Sequence, residues 1–194
     1  MRYGRRRLFE GLTVEVEPGA PLAVVGPNGS GKSTLLLVLA GVVAPTAGAV
    51  RLTVDGRGVP DDERPLRVGL VAPSLQLYEP LTARENLTFL ARARGLADAA
   101  VRVDGALDRV GLLARADEPL ATFSTGMRQR MRLAAAVLHR PAVLLLDEPG
   151  ATLDAEGRAL VAALIAEPGP VVVVATNDPD EAALCPRRLT LAAG

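Results

Sequence analysis

Leu22-Ala23-Val24-Val25-Gly26-Pro27-Asn28-Gly29-Ser30-Gly31-Lys32-Ser33-Thr34 is the stretch that decides how this chain of 194 residues folds. Its first four residues are the short apolar run of a buried strand. From Lys32 the pattern is helical to about residue 40, and Gly41 is a natural stop. Between strand and helix, Gly26 to Ser33 fits G-x-x-x-x-G-K-[ST]. The glycines let the backbone curl so that successive N–H groups point inward at phosphate oxygens, and the helix N-terminus adds its partial positive charge. The loop therefore reads as a phosphate cradle, with Gly26, Pro27, Asn28, Gly29, Ser30, Gly31 and Thr34 shaping it. Lys32 is expected at the β/γ-phosphates and the Ser33 hydroxyl on Mg²⁺. Composition sharpens the point: 21 of the 22 basic residues are arginine, and Lys32 is the only lysine. The two are not interchangeable where a phosphate takes a point charge in a tight loop.

Outward from the loop, short apolar runs alternate with helical patterns. Strands are expected near 49–54, 67–71, 143–146 and 171–175, and helices near 85–94, 99–110, 127–139 and 155–166. Continuous apolar strands between helices imply an α/β fold: a P-loop NTPase core with a mostly parallel sheet and helices on both faces. The stretch at about 80–125 lacks strands and reads as a helical lobe inserted into that core. Val143-Leu144-Leu145-Leu146 ends in Asp147-Glu148-Pro149, two carboxylates at the carboxyl end of a buried strand, where open α/β sheets bind ligands. Asp147 suits Mg²⁺ through its water shell, and Glu148 suits orienting or deprotonating an attacking water.

Composition excludes other chemistries. Half the residues are apolar (49%), enough for one sizeable core, so 1–194 reads as a single domain. Acidic and basic residues are 22 each, leaving no global field to attract nucleic acid or an anionic membrane. One cysteine, Cys185, and one histidine, His139, rule out an internal disulfide, a thiolate zinc cage and a His-rich metal site. His139 lies at a helix end, where a histidine suits the negative terminus. The basic start is not followed by a signal-type apolar region, and no apolar run approaches the ~18 residues of a membrane span. The expectation is a soluble, cytoplasmic protein whose membrane role, if it has one, comes through a partner.

Phe123-Ser124-Thr125-Gly126-Met127-Arg128-Gln129-Arg130 resembles the signature segment of the ABC family, and it lies between the two phosphate-site motifs in that family's order. Gly150-Ala151-Thr152-Leu153-Asp154 follows at family-like spacing. The resemblance covers essentially the whole chain and implies the ATP-binding subunit of an ABC transporter, with ATP and Mg²⁺ as its cofactors. It further implies that two such subunits, identical or paired, face head to tail, and that a separate membrane-spanning permease holds them on the cytoplasmic face of the membrane. Ser124, Thr125, Gly126 and Met127 would then meet the γ-phosphate held by the other subunit, Asp154 would couple the two sites, and Tyr3 would stack on adenine. Asp154 is also a good N-cap for the helix after it. The run Leu81 to Leu87 and the compact length are similar to the haem-exporter subunit of cytochrome c maturation.

The chain departs from the family pattern in three places. Thr125-Gly126-Met127 stands where the family has Gly-Gly-Gln. Pro73 stands at the Mg²⁺-sensing glutamine, and proline offers no side-chain oxygen; Gln76, three residues on, reads more readily as a solvated loop residue than as its replacement. Asn177 stands at the switch histidine, where it keeps a hydrogen-bond donor but cannot titrate near neutral pH. Thr176-Asn177-Asp178-Pro179 is equally good turn chemistry. The departures keep open a slow nucleotide-binding regulator. A nucleic-acid or ribosome-linked ABC ATPase would need a long coiled coil or two nucleotide domains, and neither fits. The guanine-reading N-K-x-D pattern is missing at Asn177-Asp178-Pro179-Asp180.

Overall fold

The computed structural model describes residues 1–3 and 6–192, and the side chains of Tyr3 and Arg6 lie outside that description. The expected stacking role of Tyr3 therefore falls outside the described residues. Along the chain, β1 (Arg2–Tyr3) and β2 (Arg6–Arg7) pair antiparallel, and β3 (Leu22–Val25) leads through the glycine-rich loop into α1 (Lys32–Leu39). A hairpin follows, β4 (Leu52–Val54) and β5 (Arg57–Val59), then α2 (Arg64–Arg67) and β6 (Val68–Val71). Next come α3 (Ala83–Ala93), α4 (Ala99–Arg109) and α5 (Thr125–Val137). The rest is β7 (Val143–Asp147), α6 (Ala155–Ala166), β8 (Val171–Ala175), α7 (Pro179–Ala183) and β9 (Arg187–Thr190).

Five strands form one parallel sheet in the order β6-β7-β8-β3-β9. The side-chain period of two sorts the apolar runs onto its faces. Leu22, Val24, Val143, Leu145, Val173 and Ala175 face Leu35 and Leu36 of α1. Ala23, Leu144, Leu146, Val172 and Val174 face α5 and α6 through Met131, Leu133, Val161 and Leu164. Covering both faces removes each leucine from water, worth roughly 2 kcal/mol per fully buried side chain. This is the expected α/β sheet with helices on both sides.

The expected lobe is present, and it is not a separate core. Thr82 opens α3 with a capping box: its hydroxyl accepts from the Glu85 N–H (3.1 Å), and the Glu85 carboxylate accepts from the Thr82 N–H (2.8 Å). Ala83, Leu87 and Ala91 of α3 and Val103 and Leu107 of α4 pack into the same apolar cluster as Leu144 and Leu146 of the sheet. Two 3₁₀ turns, Leu113–Arg115 and Leu120–Thr122, bring the chain back to α5.

Sequence patterning misses β1, β2, β5, α2, α7 and β9 and overextends β4, which is a three-residue strand of a surface hairpin. The edge strand β9 begins Arg187-Arg188 and carries a single half-buried leucine, Leu189, so no apolar run marks it. A second correction concerns His139. Helix α5 ends at Val137, and His139 is half-buried, donating from Nε2 to the Val68 carbonyl of β6 (3.2 Å). Burial first, then the positive charge of Arg94 and Arg102, pushes its pKa down to about 4. It is a neutral packing residue, not a cation on a helix terminus. The unfolded chain therefore takes up a proton on His139 near its ordinary value of 6.5, while the folded protein resists until about 4. The stability this group contributes is complete above pH 6.5 and is lost as pH falls toward 4. In thermal melts, His139→Leu should narrow the Tm gap between pH 7 and pH 4.5; an unchanged gap would assign the acid sensitivity elsewhere.

Candidate active site

Parallel register brings three strand ends to one level: Val24 lies opposite Ala175, and Asp147 lies opposite Ala175 on the other side. The loop after β3, Glu148 after β7 and Asn177 after β8 therefore leave the sheet together. Gly26 leaves at φ 152°, and a Cβ there would stand 2.4 Å from the Leu191 carbonyl oxygen, so only glycine lets the loop pass β9. Lys32 is 7% exposed, and its ammonium donates to the carbonyls of Gly26 (2.8 Å) and Pro27 (3.4 Å) and to Asn177 Oδ1 (2.9 Å). The loop's concave face is thus built around one point charge. Ser30 is fully buried within it.

The acidic pair divides its work by environment. Asp147 is buried and hydrogen-bonded to the Ser33 side chain; burial pushes its carboxyl above the ordinary carboxylate value, while Ser33 and the Lys32 charge pull it back. Asp147 and Ser33 are a hard-oxygen donor pair at the glycine-rich loop, a donor set that fits Mg²⁺. Glu148 sits half-buried with φ 47°, and one of its carboxylate oxygens accepts from the Asn177 N–H (3.4 Å). Asn177 also donates from Nδ2 to Asn28 Oδ1 (2.7 Å), so it touches the loop, the lysine and the carboxylate together. Asn28, Gly29, Gly31, Lys32, Ser33, Thr34, Asp147 and Glu148 line one open cleft of about 570 Å³, with Leu8 and Pro73 completing its wall. The position expected to sense metal does face the cleft, as a proline without a donor. Gln76 is exposed and is not among the lining residues.

The signature residues lie in a different cleft. Ser124, Gly126 and Met127 line a pocket of about 420 Å³ with Arg115, Arg130, Thr152 and Asp154, and the two clefts share no lining residue. Ser124 caps α5 by accepting from the Met127 N–H (3.2 Å), and Thr125 is the exposed first residue of that helix. Asp154 caps α6 through the Gly157 N–H (2.9 Å) and accepts from Arg130 (2.8 Å); these bonds hold its carboxyl below the usual carboxylate range. Its capping role is structural fact, and it lies beside the signature residues in the same cleft.

Sequence reasoning missed the supporting groups: Leu8 on the cleft wall, Arg130 bridging α5 to Asp154, and buried Gln129 and Glu181 beneath Glu148. In sequence, Gln129 and Arg130 read only as part of the signature segment. Glu181 reads in sequence as an ordinary acid in the first turn of a helix. The narrow cage around Nζ carries its own test. Lys32→Arg should fold yet bind nucleotide about tenfold or more weakly, and Lys32→Ala more weakly still, because a planar fork cannot take the place of a point charge between two carbonyls. Calorimetric titration showing unchanged affinity in Lys32→Arg would remove Lys32 from the phosphate site.

Comparison with known proteins places this geometry. The family profile described as ABC transporter matches residues 9–151. The linearmycin resistance ATP-binding protein LnrL of Bacillus subtilis is 35% identical over 160 residues, which are 80% of this chain and 51% of LnrL. The Nod factor export ATP-binding protein I of Paraburkholderia xenovorans is 36% identical over 201 residues, covering 99% of this chain and 65% of the relative. The chain thus spans between half and two thirds of the length of these two relatives. A dimeric ATP-binding cassette, MJ0796, in a post-hydrolysis state bound to ADP and Pi, superposes with a TM-score of 0.82 at 27% identity over 98% of this chain and 90% of that one. With the profile spanning most of the chain and the fold and motifs in agreement, this protein belongs to the ABC transporter family as an ATP-binding cassette.

Proposed function

We propose that residues 1–194 act as one nucleotide-binding domain, with the lobe at about 80–125 inserted, that binds and hydrolyses ATP to power a transporter. The observation that carries the reading is the separation of the two clefts. One holds the lysine, the metal-type oxygens and Glu148; the other holds the signature loop with the positive end of α5 behind Ser124. Neither is a whole ATPase site, and a second copy or a paired subunit turned head to tail supplies each with the other. Relatives described as resistance and export proteins, and a cassette solved as a dimer with ADP and Pi, support the same reading.

Within such a site Lys32 and the loop N–H groups hold the phosphates, and Ser33 and Asp147 would hold Mg²⁺. The metal, when bound, would neutralise phosphate charge. Glu148 orients the attacking water and takes its proton. Asn177, bonded to Lys32 and Glu148, is placed to hold that water against the γ-phosphate, with Ser124 to Met127 of the other subunit closing over it. Asp154 links the two sites across the interface.

Among the described residues no helix is long and apolar enough to cross a membrane. The relatives described as resistance and export ATP-binding proteins support a separate membrane-spanning permease as partner, with the cassette on the cytoplasmic face. The surface offered to it is the lobe, where Phe89 of α3 is 62% exposed and Tyr78 just before it 70%.

Two measurements test the reading. Glu148→Gln should accumulate as an ATP-bound dimer in light scattering, while ADP leaves it monomeric; monomer alone at saturating ATP would overturn nucleotide-driven pairing. For Asn177, steady-state ATPase rates should rise about tenfold to a hundredfold in Asn177→His and fall in Asn177→Ala, with ATP affinity nearly unchanged, because the bond at stake belongs mainly to the transition state. Equal rates in all three proteins would make Asn177 a turn residue only.

A further inference from the structure

One peptide unit, the second after Glu148, is held from both sides by buried side chains. The Pro149 carbonyl accepts from Gln129 Nε2 (3.0 Å), and the N–H of the same peptide, on Gly150, donates to Glu181 Oε1 (2.7 Å). Gln129 is 7% exposed and Glu181 8%. The Gln129 amide cannot turn over freely, because its Oε1 accepts from Arg132 (3.0 Å). The carboxylate comes so near that a Cβ on Gly150 would lie 2.2 Å from it, so a larger residue there would push the Glu181 carboxylate aside. Gln129 belongs to α5, whose N-cap is Ser124, and Glu181 to α7, which begins two residues after Asn177.

The arrangement is costly as a fold device. Glu181 Oε2 is buried with no hydrogen-bond partner, and burial raises the carboxyl's pKa above its ordinary value despite the Thr176 and Gly150 bonds. A half-satisfied buried acid stabilises less than an apolar residue of its size would. What it holds is a residue that needs holding: Glu148 has φ 47°, a left-handed conformation that a non-glycine residue keeps only when its surroundings impose it.

We propose that Gln129 and Glu181 are positioning residues for hydrolysis: by clamping the Pro149–Gly150 peptide they hold the Glu148 backbone in its left-handed turn and so set the aim of its carboxylate. This rests on Glu148 as the residue that activates water. The clamp ties the helix behind the signature loop and the segment behind Asn177 to one peptide, so a shift of either element reaches Glu148 directly.

The test separates reach from charge. Glu181→Gln keeps an oxygen at the same distance and loses the charge; Glu181→Asp keeps the charge and falls short by one methylene. Glu181→Asp should lower kcat about tenfold to a hundredfold, as small misplacements of a reacting group do, with the ATP Kd within about twofold of wild type. Glu181→Gln should retain most of kcat. Hydrogen exchange at the Gly150 amide should be slow in wild type and Glu181→Gln and fast in Glu181→Asp. Adding Gln129→Leu to Glu181→Asp should cost less than the product of the two single losses, since both act through one peptide. Wild-type kcat in Glu181→Asp, or Glu181→Gln as slow as Glu181→Asp, would overturn the proposal. Were wild type to bind ATP and hydrolyse none, the ATPase reading would fall, and Gly150 exchange in the same variants would still decide the clamp.

Discussion

Everything at the site depends on the pairing of β3, β8 and β7 in parallel and in one register. Ala175 is the partner of Val24 on one side and of Asp147 on the other, so three chains end at the same height. A parallel sheet hides both its faces under helices, and the only open surface that gathers different segments is the line of strand ends. The glycine-rich loop, the Asp147-Glu148 pair and Asn177 are far apart in sequence and meet there for that reason. Slipping β8 by one residue would exchange its two faces as well as move Asn177 off the lysine. The register that turns Val172 and Val174 to one layer of helices and Val173 and Ala175 to the other therefore fixes the chemistry together with the core.

The same constraint explains where buried polarity is tolerated. Ser30, Lys32, Gln129, Asp147, Thr176 and Glu181 are buried polar residues on or beneath the strand-end line, while Asn86 and Arg64 are the exceptions. Asn86 accepts from the Tyr78 N–H (2.8 Å) and donates back to the Tyr78 carbonyl (2.9 Å), pinning the loop before α3 to the lobe. Arg64 donates to the Val50 carbonyl (3.0 Å) below the hairpin. These two tie loops down. The other six surround a phosphate-shaped loop and its acids, where apolar replacements would serve stability better and chemistry not at all.

How much was legible in sequence follows from how local each feature is. Gly26 to Thr34 is a contiguous loop whose glycines and lysine state its shape, and the structure returns it as read. The acids of Asp147-Glu148 are likewise placed by the apolar strand before them. Asn177 could be found only by counting along a resemblance, and its three bonds, to Asn28, Lys32 and Glu148, depend on residues 145 to 149 and 29 positions away. Glu181 left no trace at all: an acid in a first turn is ordinary helix chemistry, and only the approach of Gly150 shows what it does. Strand β9 was missed for a related reason, since an edge strand opening with two arginines draws its identity from β3 beside it. His139 was misread because its neighbours in space, Val68, Arg94 and Arg102, are not its neighbours in sequence.

The division of the site between two clefts sets the logic of the whole cassette. A single chain carries strong phosphate-binding groups in one cleft and a helix terminus with little else to bind in the other. On the proposed head-to-tail pairing, nucleotide would be held before the subunits meet, and the signature residues would arrive with the second subunit. On that proposed order the interface itself would sense the γ-phosphate, because only a nucleotide long enough to reach across would reward closure. Arg130 then matters beyond its own contacts. It lines the signature cleft, bonds Asp154 and Glu156 at the start of α6, and follows Gln129, whose amide grips the Pro149–Gly150 peptide. Adjacent residues of α5 thus face the interface cleft on one side and the hydrolytic acid's backbone on the other. With α5 fixed at both contacts, closure at the signature of a subunit would, on the proposed pairing, bear on chemistry at that subunit's own phosphate loop.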